Sequence, residues 1–232
     1  MGCIGTRTGE YRANLEDVPD VYARPAEAGV VRLCFDERTC QRLDHVPAPI
    51  PPKPGATQKE HQQYMRKGVC NVLLASNIDT GQRHLRVTTT KNRGDYAHLM
   101  DWLGRTRYPD AAKIQLVQDH YATHTYGAFY EQLPVETARD LRHRLAFHDT
   151  PKHGFWLNRA EIEFAALSCQ CLDRRIGTQE RLEAEALAWE ANRNAAATKV
   201  NGSSTTEKAR DKLKNRSTEV TDVTNEIKLS DH

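Results

Sequence analysis

The stretch TPKHGFWLNRAEIEFAALSCQCLDRRI, residues 150–176, determines how the rest of the chain is interpreted. It begins with a turn composition of Pro, Lys, His and Gly, and a helical pattern follows from Asn158 to about Leu172. An Asn side chain can cap a helix by accepting hydrogen bonds from its free N–H groups. Glu161 and Glu163 fall in the first turn, where negative charge suits the positive end of the helix dipole. The stretch therefore predicts a helix with acidic side chains in its first turn.

Two runs upstream of this helix have the pattern of β-strands, and each run ends in an aspartate. They are VVRLCFD, residues 30–36, and KIQLVQD, residues 113–119. The second run is rich in apolar residues, as expected of a central strand that is covered on both faces. Two strand-end aspartates, Asp36 and Asp119, together with one helix glutamate are the side chains that a two-metal phosphoryl-transfer site requires.

The remaining pattern predicts a helical lead-in, further strands and several helices. In the lead-in, apolar residues recur three or four apart as far as Tyr22, and Pro19 is expected to kink or divide the helix. The triplet Asp79-Thr80-Gly81 has the chemistry of a hairpin turn between two strands. The predicted segments are strands at residues 68–77, 83–90 and 145–149, and helices at residues 94–107, 126–132, 136–142 and 179–197.

The predicted order of these elements decides between fold classes. A strand, a hairpin of two strands and then alternating helices and strands form the order of an α/β, ribonuclease-H-like mixed sheet flanked by helices. An ordinary doubly wound sheet has no such early hairpin. Five prolines between Pro47 and Pro54 forbid regular structure after Asp36, so we expect an excursion from the sheet there.

The length and composition of the chain favour one globular core with additions at both ends. We predict a helical lead-in at residues 1–29, a catalytic domain at residues 30–177, a C-terminal helix at residues 178–200 and a polar, weakly ordered tail at residues 201–232. The 33 basic side chains nearly balance the 31 acidic ones. Any contact with nucleic acid must therefore come from local patches of charge.

Cysteine usage and hydropathy limit the cellular environment. The six cysteines are scattered and follow no secretory segment, so we expect reduced thiols in the cytosol. No apolar run approaches the roughly 20 residues that are needed to span a bilayer. We therefore expect no membrane partner.

The three acidic positions form a hypothesis for a metal site. In the predicted sheet Asp36 and Asp119 end neighbouring strands, and a helix across the sheet edge can bring Glu161 to the same point. Their carboxylate oxygens suit Mg²⁺ or Mn²⁺. The alternative is that the aspartates only form turns and the glutamate only supports the helix start. Glu37 is a competitor for the role of Asp36. Glu163 competes with Glu161, and only one of these two can face the metals because they lie two positions apart on a helix.

Several longer motifs carry a resemblance to one family. They are LEDVPDVYARP, the FDE of residues 35–37, the KPG of residues 53–55, the QDHYATHTYGAFYEQLP of residues 118–134 and the HDTPKHGFWLNRAEIEFAALSCQCLDRRIGT of residues 148–178. With these motifs, residues 10–197 resemble the catalytic region of bacterial insertion-sequence transposases, a DDE superfamily endonuclease domain allied to the mariner-type superfamily. The Leu-Asn-x-x-Glu pattern of that family matches Glu161 rather than Glu163.

The resemblance implies a specific chemistry on DNA. Asp36, Asp119 and Glu161 would be the catalytic and metal-binding residues, with two Mg²⁺ or Mn²⁺ ions as cofactors. The implied activity is hydrolysis of a phosphodiester at the end of a mobile element, followed by strand transfer into target DNA. The implied partners are double-stranded DNA and a second copy of the chain on that DNA, with no small-molecule substrate. The implied location is the bacterial cytosol, near the nucleoid.

Members of this family carry a helix-turn-helix region ahead of the catalytic domain, and this sequence begins too late to contain one. A truncated, non-catalytic relic that acts only as an interaction or nucleic-acid-binding module is therefore one alternative. A simple nuclease of the same fold, without strand transfer, is the other.

Four further side chains are candidates for contacts with DNA: His120, Lys152, His153 and Arg159. Lys152 and Arg159 flank Glu161 and could hold phosphate, although solvated surface charge is the equal alternative. The histidines at positions 120, 124, 148 and 153 lie near predicted turns, where we expect surface residues.

Overall fold

The computed structural model describes residues 9–45, 64–152 and 154–200, which contain five β-strands. The strands are β1 (Val30–His45), β2 (Tyr64–Asn77), β3 (Arg83–Thr88), β4 (Lys113–Asp119) and β5 (Leu145–Thr150). They form one sheet in the order β3-β2-β1-β4-β5. β2 is antiparallel to β1 and β3, whereas β4 is parallel to β1 and β5. The predicted mixed sheet is confirmed.

Six α-helices lie in the same described residues. They are α1 (Gly9–Ala23), α2 (Arg93–Trp102), α3 (Tyr126–Gln132), α4 (Val135–Arg144), α5 (Ala160–Leu167) and α6 (Gln179–Ala195). Two of them, α2 and α5, continue into π-helical turns at Leu103–Arg107 and Ser168–Leu172. None of the helices described is long and apolar enough to cross a membrane.

The helices cover both faces of the sheet, because alternate strand residues point to opposite sides. Cys34 of β1 and Val117 of β4 pack into one apolar cluster with α1, α5 and α6. Their neighbours Leu33 and Leu116 pack into a second cluster with α2, α3 and α4. Each inner strand thus supplies two cores, and the predicted α/β class is confirmed.

Pro19 lies inside α1, and the helix is not divided there, so the predicted division of the helix is wrong. The helix runs through this position, and Pro19 is buried together with Leu15, Val18 and Tyr22. The packing of this apolar face against the body of the protein outweighs the single backbone hydrogen bond that proline cannot make.

β1 is longer than its apolar pattern predicted, because it continues past Asp36 to His45. The prediction that regular structure stops after Asp36 is therefore wrong. This extension is paired in antiparallel register with the first part of β2, beginning at Glu37↔Leu73. A ladder of backbone hydrogen bonds forms a strand even where the side chains are polar, so the missing apolar run was not a reliable end signal.

The pairing of the β1 extension with β2 contains a bulge on β2, where Lys67 and Gly68 lie opposite the single residue Arg42. A bulge bends the strand and disrupts the local pairing. The predicted proline excursion at residues 47–54 and the predicted tail at residues 201–232 lie outside the described residues.

The predicted hairpin turn between β2 and β3 is confirmed. Gly81 has a φ of 75°, a left-handed conformation that glycine adopts without strain. Its N–H donates to the Asn77 carbonyl oxygen at 2.9 Å. Asn77 Oδ1 accepts hydrogen bonds from the N–H groups of Asp79 and Thr80, each at 2.9 Å. These bonds fix the register of β2 against β3.

Candidate active site

The register of the sheet places Asp36 and Asp119 at the same level of neighbouring strands. β1 and β4 pair in parallel as far as Cys34↔Val117, and two further steps along each strand reach the two aspartates. Because Cys34 and Val117 both face the core beneath α5, Asp36 and Asp119 point toward that same face. The prediction that these two strands are neighbours is confirmed.

Asn158 fixes the start of α5 against β1. Its Nδ2 donates to the Phe35 carbonyl oxygen at 2.8 Å, and its Oδ1 accepts from the Ala160 N–H at 3.1 Å. α5 begins at Ala160 with Arg159 at the N-cap, one residue later than predicted, but the Asn158 side chain still accepts from its first N–H group and adds a link to the strand residue that precedes Asp36. The first turn of α5 is therefore held beside the aspartates.

The two glutamates in the first turn of α5 have different surroundings. The Glu163 side chain is fully buried, with its carboxylate 2.6 Å from Arg83 and 2.8 Å from Arg193. Glu161 is 36% exposed, and its Oε2 lies 3.1 Å from Nη2 of Arg38 on β1. Because Glu163 is committed to a buried structural network, Glu161 is the glutamate of this turn that is available at the sheet edge.

The carboxyl group of Asp36 has a raised pKa. Burial raises the pKa of its carboxyl to about 7, and the charges of Glu161 and Asp119 act in the same direction. A side-chain hydrogen bond with Glu161 also raises the pKa, while the Glu37 N–H opposes the shift by donating to Asp36 Oδ1 at 2.8 Å. Carboxylates disfavour each other's ionised forms only at short range. The raised pKa of Asp36 therefore indicates that the three carboxyl groups lie in one region.

The raised pKa of Asp36 predicts that this residue opposes folding at neutral and alkaline pH. In the unfolded chain an aspartate ionises near pH 3.9. Between that pH and about 7 the unfolded state loses a proton that the folded state keeps, so stability falls as pH rises. Asp36→Asn should therefore be more stable than the wild type by about 1 to 3 kcal/mol near pH 8, with little difference near pH 4. Thermal unfolding at both pH values measures this change, and an equal gain at both would contradict it.

Glu37 faces the opposite side of β1 and is paired with cations. Its Oε1 lies 2.9 Å from Lys91 Nζ and 3.4 Å from His124 Nε2. Burial alone would raise the pKa of Glu37, but hydrogen bonds from His124 and Lys91 outweigh burial and lower it. Since successive strand residues alternate in direction, Glu37 does not share the face of Asp36.

His124 lies between Glu37 and Asp119 and contacts both carboxylates. Its ring is fully buried, and Nδ1 lies 2.7 Å from Asp119 Oδ1. The ring centre is 5.1 Å from that of Phe35 and 4.8 Å from that of Tyr96. Burial lowers the pKa of His124, but Asp119 and Glu37 together raise it to about 9, so the ring is a cation at neutral pH. The expectation of a surface histidine is wrong here.

The other residues that were predicted to contact DNA differ in their exposure and contacts. The His120 side chain is 73% exposed, and its Nδ1 lies 3.0 Å from Asp149 Oδ2. Lys152 is exposed shortly after β5. His153 lies outside the described residues. Contact of these side chains with DNA stays a prediction.

Arg159 packs against α1. Its guanidinium carbon lies 4.0 Å from the centre of the Tyr22 ring. The Tyr22 hydroxyl accepts from the Arg159 N–H at 3.2 Å and donates to the Leu157 carbonyl oxygen at 3.0 Å. These contacts give Arg159 a structural role in holding α5 against α1, and its contact with DNA stays a prediction.

The chemistry of the three acids suits a hard divalent cation. Asp36, Asp119 and Glu161 supply carboxylate oxygens, the ligands that Mg²⁺ and Mn²⁺ prefer. A cation would also relieve the repulsion that contributes to the raised pKa of Asp36. Across the described ranges, no three His, Cys, Asp or Glu side chains are already arranged as a metal-binding cluster. Instead, Arg38 holds Glu161 and His124 holds Asp119.

Arg38 was missed in the sequence as a positioning residue, and His124 was expected at the surface. Arg38 stands two residues after Asp36, and residues two apart in a strand share a face, so a longer β1 would have predicted its position. His124 follows Asp119 closely, but no local pattern distinguishes a buried histidine in a turn from an exposed one. Its role depends on Glu37, which is distant in sequence.

Comparison with known proteins gives one family and one fold. A family model described as DDE superfamily endonuclease matches residues 31–183, which include all three acids. None of the curated proteins compared with the chain matches it.

Among solved structures, the chain is similar to a Mos1 mariner paired-end complex with Mn, with a TM-score of 0.54 and 13% identity over 82% of this chain and 59% of that chain. A Mos1 transposase paired-end complex with the left transposon end gives a TM-score of 0.55 and 12% identity over 85% and 60%. A pre-cleavage Mos1 transpososome gives 0.54 and 12% identity over 86% and 57%. The chain thus spans less than two thirds of these solved chains, and the similarity confirms the predicted fold.

Proposed function

Since this chain belongs to the DDE superfamily endonuclease family, we propose that it is the catalytic domain of a DNA transposase. The reaction is metal-dependent hydrolysis of a phosphodiester at the end of a mobile element, followed by joining of the freed 3′ hydroxyl to target DNA. The similar Mos1 transposase complex contains a left transposon end, which supports element-end DNA as the substrate.

The observation that carries this proposal is the position of the three acids: Asp36 and Asp119 lie at the same level of neighbouring strands, and Asn158 holds the first turn of α5, with Glu161, against β1. The charges of Glu161 and Asp119 both contribute to the pKa of about 7 at Asp36. This repulsion costs folding free energy at neutral pH, and a cation between the carboxylates would offset it. A concentration of negative charge at the sheet edge supports a role in binding divalent ions.

We assign Asp36, Asp119 and Glu161 as the catalytic and metal-binding residues, with two Mg²⁺ or Mn²⁺ ions as cofactors. Two such ions would activate the attacking oxygen and stabilise the leaving oxygen. We assign Arg38 and His124 as positioning residues, because each contacts a carboxylate of the site. His124 orients Asp119, and Arg38 holds Glu161 toward β1. The nucleophile is water or a DNA hydroxyl, without a covalent protein intermediate.

The proposed partners are double-stranded DNA, at element ends and at the target, and a second copy of the chain on that DNA. The proposed location is the bacterial cytosol at the nucleoid. The proposed organisation is a lead-in at residues 1–29, a catalytic domain at residues 30–177, a helix at residues 178–200 and a tail at residues 201–232.

The test is nicking of supercoiled plasmid by the wild-type chain. We expect nicks with Mn²⁺ and none with EDTA, and we expect joined products when a labelled oligonucleotide with a free 3′ hydroxyl is added. Nicks without joined products would reduce the function to that of a simple nuclease. An absence of nicks, together with no rise of the unfolding temperature in Mn²⁺, would identify a non-catalytic relic.

A further inference from the structure

A cleft of about 420 Å³ adjoins the three acids on the outer part of β1. One wall is the extension of β1, and the other is formed by the π-helical turn after α5 and the residues that follow it. Three arginines, Arg38, Arg42 and Arg174, line the cleft, against a single acid, Asp173. The cleft is therefore basic although the whole chain is nearly neutral.

Arg38 connects the cleft to the acids. Its Nη2 lies 3.1 Å from Glu161 Oε2, and its Nη1 donates to Ser168 Oγ at 2.8 Å. Both Arg38 and Ser168 belong to the lining of the cleft. Arg38 therefore lies between a ligand in the cleft and Glu161.

Arg42 lines the cleft and lies opposite the bulge of β2. Within the bulge, Gly68 has a φ of 100°, and a Cβ at this position would lie 2.9 Å from Arg42 Nη2. The glycine thus makes room for the guanidinium. The Arg42 Nε is buried and has no hydrogen-bond partner in the described residues. Because buried N–H groups are normally hydrogen-bonded, this donor favours a ligand that supplies an acceptor.

Arg174 is held rigidly at the facing wall. Its Nε donates to the Cys171 carbonyl oxygen at 2.9 Å, and its Nη2 forms a salt bridge with Glu185 of α6. Two guanidinium groups on opposite walls, one fixed and one with a free donor, suit phosphate oxygens, which arginine binds through paired N–H groups.

We propose that this cleft binds the phosphate backbone of a single DNA strand that leaves the three acids, with Arg42 and Arg174 as phosphate contacts. The ligand assignment rests on the proposed function, which supplies DNA as the polyanion. The volume lies near the lower end of the range for small-ligand pockets, about 300 to 1,000 Å³. The cleft therefore has room for a short piece of one strand.

The test is the salt dependence of binding to a fluorescein-labelled single-stranded oligonucleotide, measured in EDTA so that nicking plays no part. Arg42→Gln should weaken binding about ten-fold, because a charge-assisted hydrogen bond is lost. It should also make the slope of log affinity against log salt shallower by about 0.7, the value for one phosphate contact on a single strand. Arg42→Lys should keep the slope, because it keeps the charge.

The matched control is Arg139→Gln, which removes an exposed arginine from α4 on the opposite face of the sheet. This variant should bind as the wild type does. Equal losses in Arg42→Gln and Arg139→Gln, an unchanged slope in Arg42→Gln, or no binding by the wild type would each overturn the proposal. Equal unfolding temperatures show that the variants remain folded.

Cys169 gives an independent test of location, because its exposed thiol lies in the wall of the cleft. The bound oligonucleotide should slow alkylation of Cys169, followed by peptide mass spectrometry, and unchanged alkylation would overturn the assignment. The proposed function fails separately: a wild type that shows Arg42-dependent binding and Cys169 protection but never nicks DNA in Mn²⁺ keeps the cleft and loses the catalytic role.

Discussion

Asp119→Asn should lower Mn²⁺-dependent nicking of DNA by at least about a thousand-fold. The charge stabilisation that a bound metal supplies in the transition state is worth several kcal/mol, and about 4 kcal/mol corresponds to a thousand-fold in rate. Asn keeps the size of the side chain but removes the negative charge that holds the cation. The measurement is the initial rate of plasmid nicking at saturating Mn²⁺.

A readout besides activity separates loss of metal binding from loss of fold. At about one hundred times its dissociation constant, Mn²⁺ should stabilise the wild type by about 2.7 kcal/mol, and Asp119→Asn should gain much less. Without metal the variant should stay folded, because Asn can still offer an oxygen to His124 Nδ1. Asp140→Asn is the matched control, since Asp140 is an exposed residue of α4 whose carboxylate contacts Arg144 and lies on the face of the sheet away from α5. A variant at position 119 that nicks as fast as this control would remove the site assignment.

The sequence predicts the sheet well where apolar periodicity and turn chemistry agree. β4 was predicted from its apolar run, and Gly81 marked the hairpin correctly because few other residues adopt its backbone conformation. The outer part of β1 could not be predicted in this way. It is held by pairing with β2, whose residues lie far along the chain, so its own side chains carry no signal.

Prediction of the candidate site from the sequence has the same limit. Asp36 and Asp119 end apolar runs and Glu161 follows a capping residue, which are local features of the sequence, although β1 itself continues past Asp36. Their electrostatics are not local, because the pKa of Asp36 depends on charges that only folding brings near. The burial of His124 between two acids likewise results from tertiary structure alone.

Glu163 was a competitor of Glu161 in the sequence, and the structure gives the two residues opposite consequences when they are changed. Glu163 neutralises Arg83, whose side chain is fully buried, and it also contacts Arg193 of α6. Glu163→Gln removes that charge and leaves a buried guanidinium without a counterion, which costs about 3 to 5 kcal/mol. We expect the unfolding temperature to fall by about 10 °C in a chain of this size.

The same chemical change two residues earlier is the control. Glu161→Gln breaks only a half-exposed contact with Arg38, so its effect on stability should stay within about 1 kcal/mol while nicking is lost.

Burial alone would raise the pKa of Glu163, but Arg83 and Arg193 lower it. The stabilisation from Glu163 is therefore present above its unfolded pKa of about 4.3 and disappears as pH falls through the lower folded value. Thermal unfolding of both variants at neutral pH and near pH 3 tests this, because the deficit of Glu163→Gln should shrink in acid. A deficit that stays constant with pH would show that Glu163 acts through packing, and one shared by Glu161→Gln would show that the two glutamates are not separated as the structure places them.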